Sequence, residues 1–130
     1  MILDGALFDK LTEEAKASPR LRAHMNLHES LDAKAQRLLV ALEPGTQMPI
    51  HRHPSTNETQ MVLRGRMKVT FFDDENRVTN EFMLSPKTGN FGIHTPMGQW
   101  HTLEVMESGT IILEVKDGPY TPSRPEDIMQ

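Results

Sequence analysis

The sequence predicts an all-β sandwich or barrel with one short N-terminal helix. Three observations lead there. From Gln36 onward, short apolar runs of strand length are broken by turn residues about every 8 to 12 positions. No helix-length pattern separates these runs, which disfavours a parallel α/β sheet. The one helical pattern stands ahead of them all.

That helix is expected over about residues 5–17. Leu7, Phe8, Leu11 and Ala15 share a face, while Glu13, Glu14 and Lys16 take the other side. Asp4 can cap its start, and Ser18-Pro19 should stop it. Its place is against a sheet. The first strand run is Gln36–Leu42, closed by Glu43-Pro44-Gly45. Met48–His53 follows and ends at Pro54-Ser55-Thr56-Asn57. Thr59–Leu63 ends at Arg64-Gly65. Lys68–Phe72 and Arg77–Leu84 flank Asp73-Asp74-Glu75-Asn76, a hairpin signal. Phe91–His94, Trp100–Met106 and Thr110–Val115 complete the set. The barrel should therefore occupy about residues 34–116. Pro119, Pro122 and Pro125 make residues 117–130 read as an irregular tail. With no internal repeat or low-complexity segment, residues 1–130 read as one domain.

Composition bounds the chemistry. A length of 130 residues suits one core of ordinary size. There is no cysteine, so disulfides, thiolate metal sites and a cysteine nucleophile are excluded. The net charge of −4, with no basic run, argues against nucleic acid or an anionic membrane as partner. No apolar stretch approaches a membrane span, and Met1-Ile2-Leu3-Asp4 lacks a signal-peptide pattern. A soluble, cytoplasmic protein is expected. Its chemistry must come from histidines, carboxylates or a metal.

The densest signal is His51-Arg52-His53. In a strand, positions i and i+2 face the same way, so both imidazoles can converge on one point. Glu58 follows at the start of the next strand, and Gln60 shares its parity. His101 comes after a Pro-Met-Gly turn. Three imidazoles and a carboxylate suit a divalent first-row metal with open positions. Taken alone, His-Xaa-His also fits a solvated strand with two surface histidines.

The wider frame resembles the cupin family. Its first motif matches at every spacing: Gly45, then His51-Arg52-His53, then Glu58, then Gly65. Its second motif matches at Pro96-Met97-Gly98 and His101. Two departures stand at the ends. Gly89 lies one residue too far from Pro96, and Val105 stands where asparagine is usual. That asparagine is not a metal ligand. The resemblance implies a double-sheet jelly roll in which His51, His53, Glu58 and His101 bind one divalent metal (Fe, Mn, Ni or Zn). It also implies a homodimer.

A narrower resemblance covers more of the chain. Arg22, Asn26 and His28 precede the first expected strand, and Gln36-Arg37-Leu38-Leu39 opens it. The chain closes on Glu114-Val115-Lys116-Asp117-Gly118-Pro119-Tyr120-Thr121-Pro122. This set is similar to the WbuC-type cupin metalloproteins, found with bacterial surface-polysaccharide genes. Read physically, Arg37 has the parity of Leu39 and Ala41. Facing a cavity, its guanidinium could grip a carboxylate or phosphate; facing solvent, it is a strand-edge arginine. His28 could act as a general acid or base across the barrel mouth, or be a satisfied surface histidine. Tyr120 could close over the site or pack in the tail, and Gln60 could hydrogen-bond a substrate. His24 and His94 read as structural. Trp100, next to His101, should point away from the metal. These residues suit a metalloenzyme acting on a small polar molecule such as a sugar or sugar nucleotide. The alternatives are a non-catalytic metal-dependent sugar or metabolite sensor and a metal-independent sugar epimerase or isomerase.

Overall fold

The computed structural model describes residues 1–129. Helix α1 spans Gly5–Ala17. The Asp4 carboxylate accepts the Leu7 N–H at 3.0 Å and satisfies one of the free donors of the first turn. Ser18 turns extended and ends the helix, with Pro19 behind it.

Eight strands follow: β1 Arg22–Asn26, β2 Ala35–Leu42, β3 Glu58–Arg64, β4 Met67–Phe72, β5 Val78–Leu84, β6 Gly92–Thr95, β7 Trp100–Val105 and β8 Thr110–Asp117. All neighbours pair antiparallel. One sheet has five strands in the order β1-β2-β8-β3-β6, and the other three in the order β5-β4-β7. This is the double-sheet jelly roll that the motifs imply.

Strand alternation divides the core in two. One face of the larger sheet turns Leu39, Ala41 and Ile111 outward onto α1, where Leu11 and Ala15 are fully buried. The opposite face turns Leu42, Val62 and Ile112 inward against Met67, Val69, Leu84 and Val105. Each side chain buried this way stabilises by about 1.5–3 kcal/mol. The apolar helix face therefore covers the larger sheet from outside, and the barrel interior is left to the second cluster and the site.

Two elements differ from the sequence expectation. A strand forms before Gln36. Strand β1 pairs with β2 from Arg22 opposite Leu42 to Asn26 opposite Leu38, and Ala23 and Met25 pack under α1. The barrel thus begins at Arg22 and not near residue 34. Conversely, Met48–His53 makes no regular strand. Pro49 and Pro54 lack the N–H groups a ladder needs. Only His51 bridges, to His101 on one side and Ile128 on the other. The tail is more ordered than its prolines suggest. It holds a 3-10 turn at Pro125–Asp127, and Met129 N–H donates to the Ile50 carbonyl at 2.8 Å. Among the described residues, no helix is long and apolar enough to cross a membrane.

Candidate metal centre

His51, His53 and His101 converge at one end of the barrel, with their candidate ligand atoms all within 4.8 Å of one another. Backbone pairing sets this distance. His51 N–H donates to the His101 carbonyl at 3.0 Å, and His101 N–H returns a bond at 2.9 Å. The ring centroids of these two residues lie 4.3 Å apart. The His51 Nδ1–H donates to the Pro49 carbonyl and the His101 Nδ1–H to the Gln99 carbonyl, each at 2.9 Å. A carbonyl can only accept, so Nδ1 carries the proton in both rings. Each Nε2 is then a bare lone pair, the form a metal needs.

Glu58 opens β3 beside the histidines and is 4% exposed. Its carboxylate oxygens lie 3.4 Å from His53 Nε2 and 3.8 Å from His101 Nε2, without hydrogen-bond geometry. Both nitrogens are buried and unpartnered. Burial pushes Glu58 up, but His101 and His53 together pull it further the other way, well below the ordinary carboxylate range. His51 is held down to about 4, first by burial and then by the neighbouring His101. The bare Nε2 lone pair of His101, the unpartnered Nε2 of His53 and an ionised carboxylate therefore face one another at close range. A cation between them would satisfy all three, so this donor set fits a divalent metal.

The segment carrying His51 and His53 is clamped from behind. Arg52 donates from Nε to Asp127 at 2.9 Å, and Arg124 donates to the other oxygen of the same carboxylate at 3.0 Å. The Arg52 guanidinium stacks on Trp100 at 4.6 Å from the ring centroid. Trp100 points away from the histidines, as alternation predicts, and donates to Asp74 at 3.1 Å.

The cluster opens into a cavity of 480 Å³, of the size that takes a small metabolite. Leu38, Val40, Leu42, Leu103 and Ile112 give it an apolar floor. Gln60 lies in it beside Glu58, as parity predicts, and donates to Glu114 at 2.9 Å. Burial first, then the Glu58 charge, raises Glu114 above the ordinary carboxylate value, and Lys116 sits 3.8 Å away. His28 lines the far wall and is only 7% exposed. Its Nδ1 lies 3.0 Å from both the N–H and the carbonyl oxygen of Arg37, so either tautomer finds a partner there. Tyr120 is on the rim, 47% exposed.

Arg37 is the correction. It shares the parity of Leu39 and Ala41, but their face packs outward on α1. Arg37 is exposed there and does not line the cavity, so it holds no ligand in this site. Gln36, its buried neighbour, takes the inward place. His24 is a second correction, because it lines the cavity. His94 stays outside it, with its Nδ1 2.9 Å from the Thr59 hydroxyl. Sequence reasoning gave no cavity role to Arg22, Glu114 or Lys116. The signal that could have found Arg22 and His24 is the alternation Arg22-Ala23-His24-Met25-Asn26, which is strand-like with its polar side inward.

A family model described as a domain of unknown function, DUF6016, matches residues 3–84. The chain belongs to the DUF6016 family. No match to a curated protein was found by sequence. Solved structures similar to this DUF6016 chain include KdgF from Halomonas sp., with a TM-score of 0.60 at 16% identity over 84% of this chain and 86% of that one. The capsular polysaccharide assembling protein CapF from Staphylococcus aureus gives 0.69 at 18% identity over 86% of this chain. The chain spans only 32% of the length of CapF. The cupin domain of Schizosaccharomyces pombe Cnp3 gives 0.58 at 13% identity, over 73% of this chain and 59% of that one. These likenesses establish the fold, a cupin jelly roll.

Proposed function

We propose that this DUF6016 cupin binds one divalent first-row metal and acts on a small polar or sugar-type metabolite. The observation that carries the reading is the pair of buried, unpartnered Nε2 atoms of His53 and His101 facing the Glu58 carboxylate. His51, His53, Glu58 and His101 would hold Fe, Mn, Ni or Zn. Such an ion supplies Lewis-acid polarisation of an oxygen, activation of water or binding of dioxygen.

The chain's own groups do the rest. The apolar floor keeps water from the inner half of the cavity. Gln60, fixed by its bond to Glu114, presents its carbonyl oxygen to a ligand hydroxyl. His28 lines the cavity and serves as proton donor or acceptor, and Tyr120 offers a hydroxyl at the mouth. The sugar class, and a place in bacterial surface-polysaccharide metabolism, draw on the WbuC-type resemblance and on the likeness to CapF. The cytoplasm is the compartment a cysteine-free chain suits. The assembly that the resemblance implies is a homodimer; light scattering that gives a monomer at micromolar concentration ends that part. The complete ligand set disfavours a metal-independent epimerase or isomerase.

The test is a thermal-shift screen of metal-loaded protein against sugars and sugar nucleotides, with product analysis of each hit. Metal-dependent stabilisation together with product supports an enzyme. Stabilisation without product makes the chain a binding protein. Hits that ignore the metal contradict the proposal.

A further inference from the structure

Strand β1 has an inverted pattern. Ala23 and Met25 pack outward under α1, while Arg22, His24 and Asn26 line the cavity. His28 continues the same alternation beyond the strand and also lines it. On the neighbouring strand β2 the inward row is apolar at Leu38, Val40 and Leu42. An inward row that is polar at four successive places is not built to fill a core.

Nor does the protein satisfy it. Among the described residues, Arg22 reaches only the Met48 sulfur at 3.9 Å, a weak acceptor. Among the described residues, the exposed His24 and Asn26 side chains make no hydrogen bond within the protein, and His28 Nε2 is buried without a partner. The unmade bond at His28 carries a desolvation penalty that a ligand with a matching group would remove, and the exposed pair is free to bond the same ligand. Charge points to the kind of ligand. Lys116 is matched by Glu114 at 3.8 Å, and Glu58 faces the histidines. Among the described residues, no carboxylate pairs with Arg20 or Arg22, and both residues line the cavity.

We infer that Arg22, His24, Asn26 and His28 form a recognition strip for a small hydroxylated ligand carrying one oxyanion, a carboxylate or a phosphate. Arg22 takes the oxyanion, and the other three bond its hydroxyl or ring oxygens. The cation that the sequence reading placed at Arg37 stands instead one strand over. This inference deepens the metal-site reading and rests on it for where the reacting oxygens lie. A competing role for the row is protection of an edge strand by inward charge.

Calorimetric titration with glucuronate, glucose 6-phosphate and glucose separates the two roles. At least one charged sugar is expected to bind about tenfold or more tighter than glucose. Glucuronate and glucose 6-phosphate then tell carboxylate from phosphate. Arg22→Gln should abolish that preference while metal content and melting temperature hold. Asn26→Ala should weaken charged and neutral sugars alike, by a few fold. Failure of both charged sugars to bind at millimolar concentration overturns the strip. So does an Arg22→Gln variant that binds like the wild type but self-associates in light scattering, the mark of an edge guard. Elemental analysis of the same samples keeps the two readings apart. Arg22-dependent binding in a chain that holds no metal refutes the metal reading alone, and metal without charged-sugar binding refutes the strip alone.

Discussion

Acidifying the metal-free protein should unfold it in a way that His51 controls. Burial and the nearby His101 hold this imidazole down to about 4 in the folded chain, against an ordinary 6.5. Between these values the unfolded chain binds a proton that the folded chain refuses. Stability therefore rises with pH across this window and falls as the pH drops through it. At roughly 1.4 kcal/mol per factor of ten in proton affinity, the full gap amounts to about 3 kcal/mol. Glu58 is shifted the opposite way from Glu114, and its own loss comes only below the ordinary carboxylate value of 4.5. Glu114, raised by burial, loses stability as pH rises above 4.5 and so opposes His51 in the same window. A difference measurement cancels that opposing effect. Urea unfolding of wild type and His51→Gln, both stripped of metal, would be followed from neutral pH down to about 5, where about 2 kcal/mol of the His51 share is already lost. The wild type should lose that much more than the variant. Parallel curves for the two proteins would refute the burial argument for His51.

Other outcomes follow from the same geometry. Gly65 has φ +89, and an added Cβ would meet the Thr110 Cα at 2.7 Å. Gly65→Ala should therefore cost about 2–4 kcal/mol in urea unfolding, from left-handed strain plus overpacking. Leu39→Ala, at a fully buried position under α1, should cost about 2–5 kcal/mol by the same method and leave metal content alone. Arg37→Gln should change neither metal content nor sugar affinity in calorimetry, because Arg37 faces away from the cavity. Arg52→Ala removes the clamp between Asp127 and Trp100 and should weaken metal binding by about tenfold or more in a chelator competition assay.

The strands and the ligand cluster were legible for different reasons. The period-two runs from Gln36 onward carry apolar residues on the inner face, so the pattern and the fold agree. The i, i+2 spacing of His51 and His53 brought those rings together although their segment is not a strand. Its prolines still hold it extended, and extension is all that the spacing needs. Strand β1 escaped because its apolar residues, Ala23 and Met25, are few and face outward, while the row that lines the cavity is polar. Arg37 misled because parity tells which residues share a face and not which face is inside. The larger sheet buries both faces, one under a helix and one in the barrel, so Leu39 and Ala41 were apolar for a reason other than the cavity. The tail's role could not be read locally, since Asp127 meets Arg52 across most of the chain.

The measurement that bears most directly on the account is metal content by elemental analysis. It would use protein purified without an affinity tag or added metal, beside His51→Ala and His101→Ala. The geometry predicts about one equivalent of a first-row metal in the wild type and its loss in both variants. A wild type that holds no metal and takes up none of added Fe, Mn, Ni or Zn would contradict it.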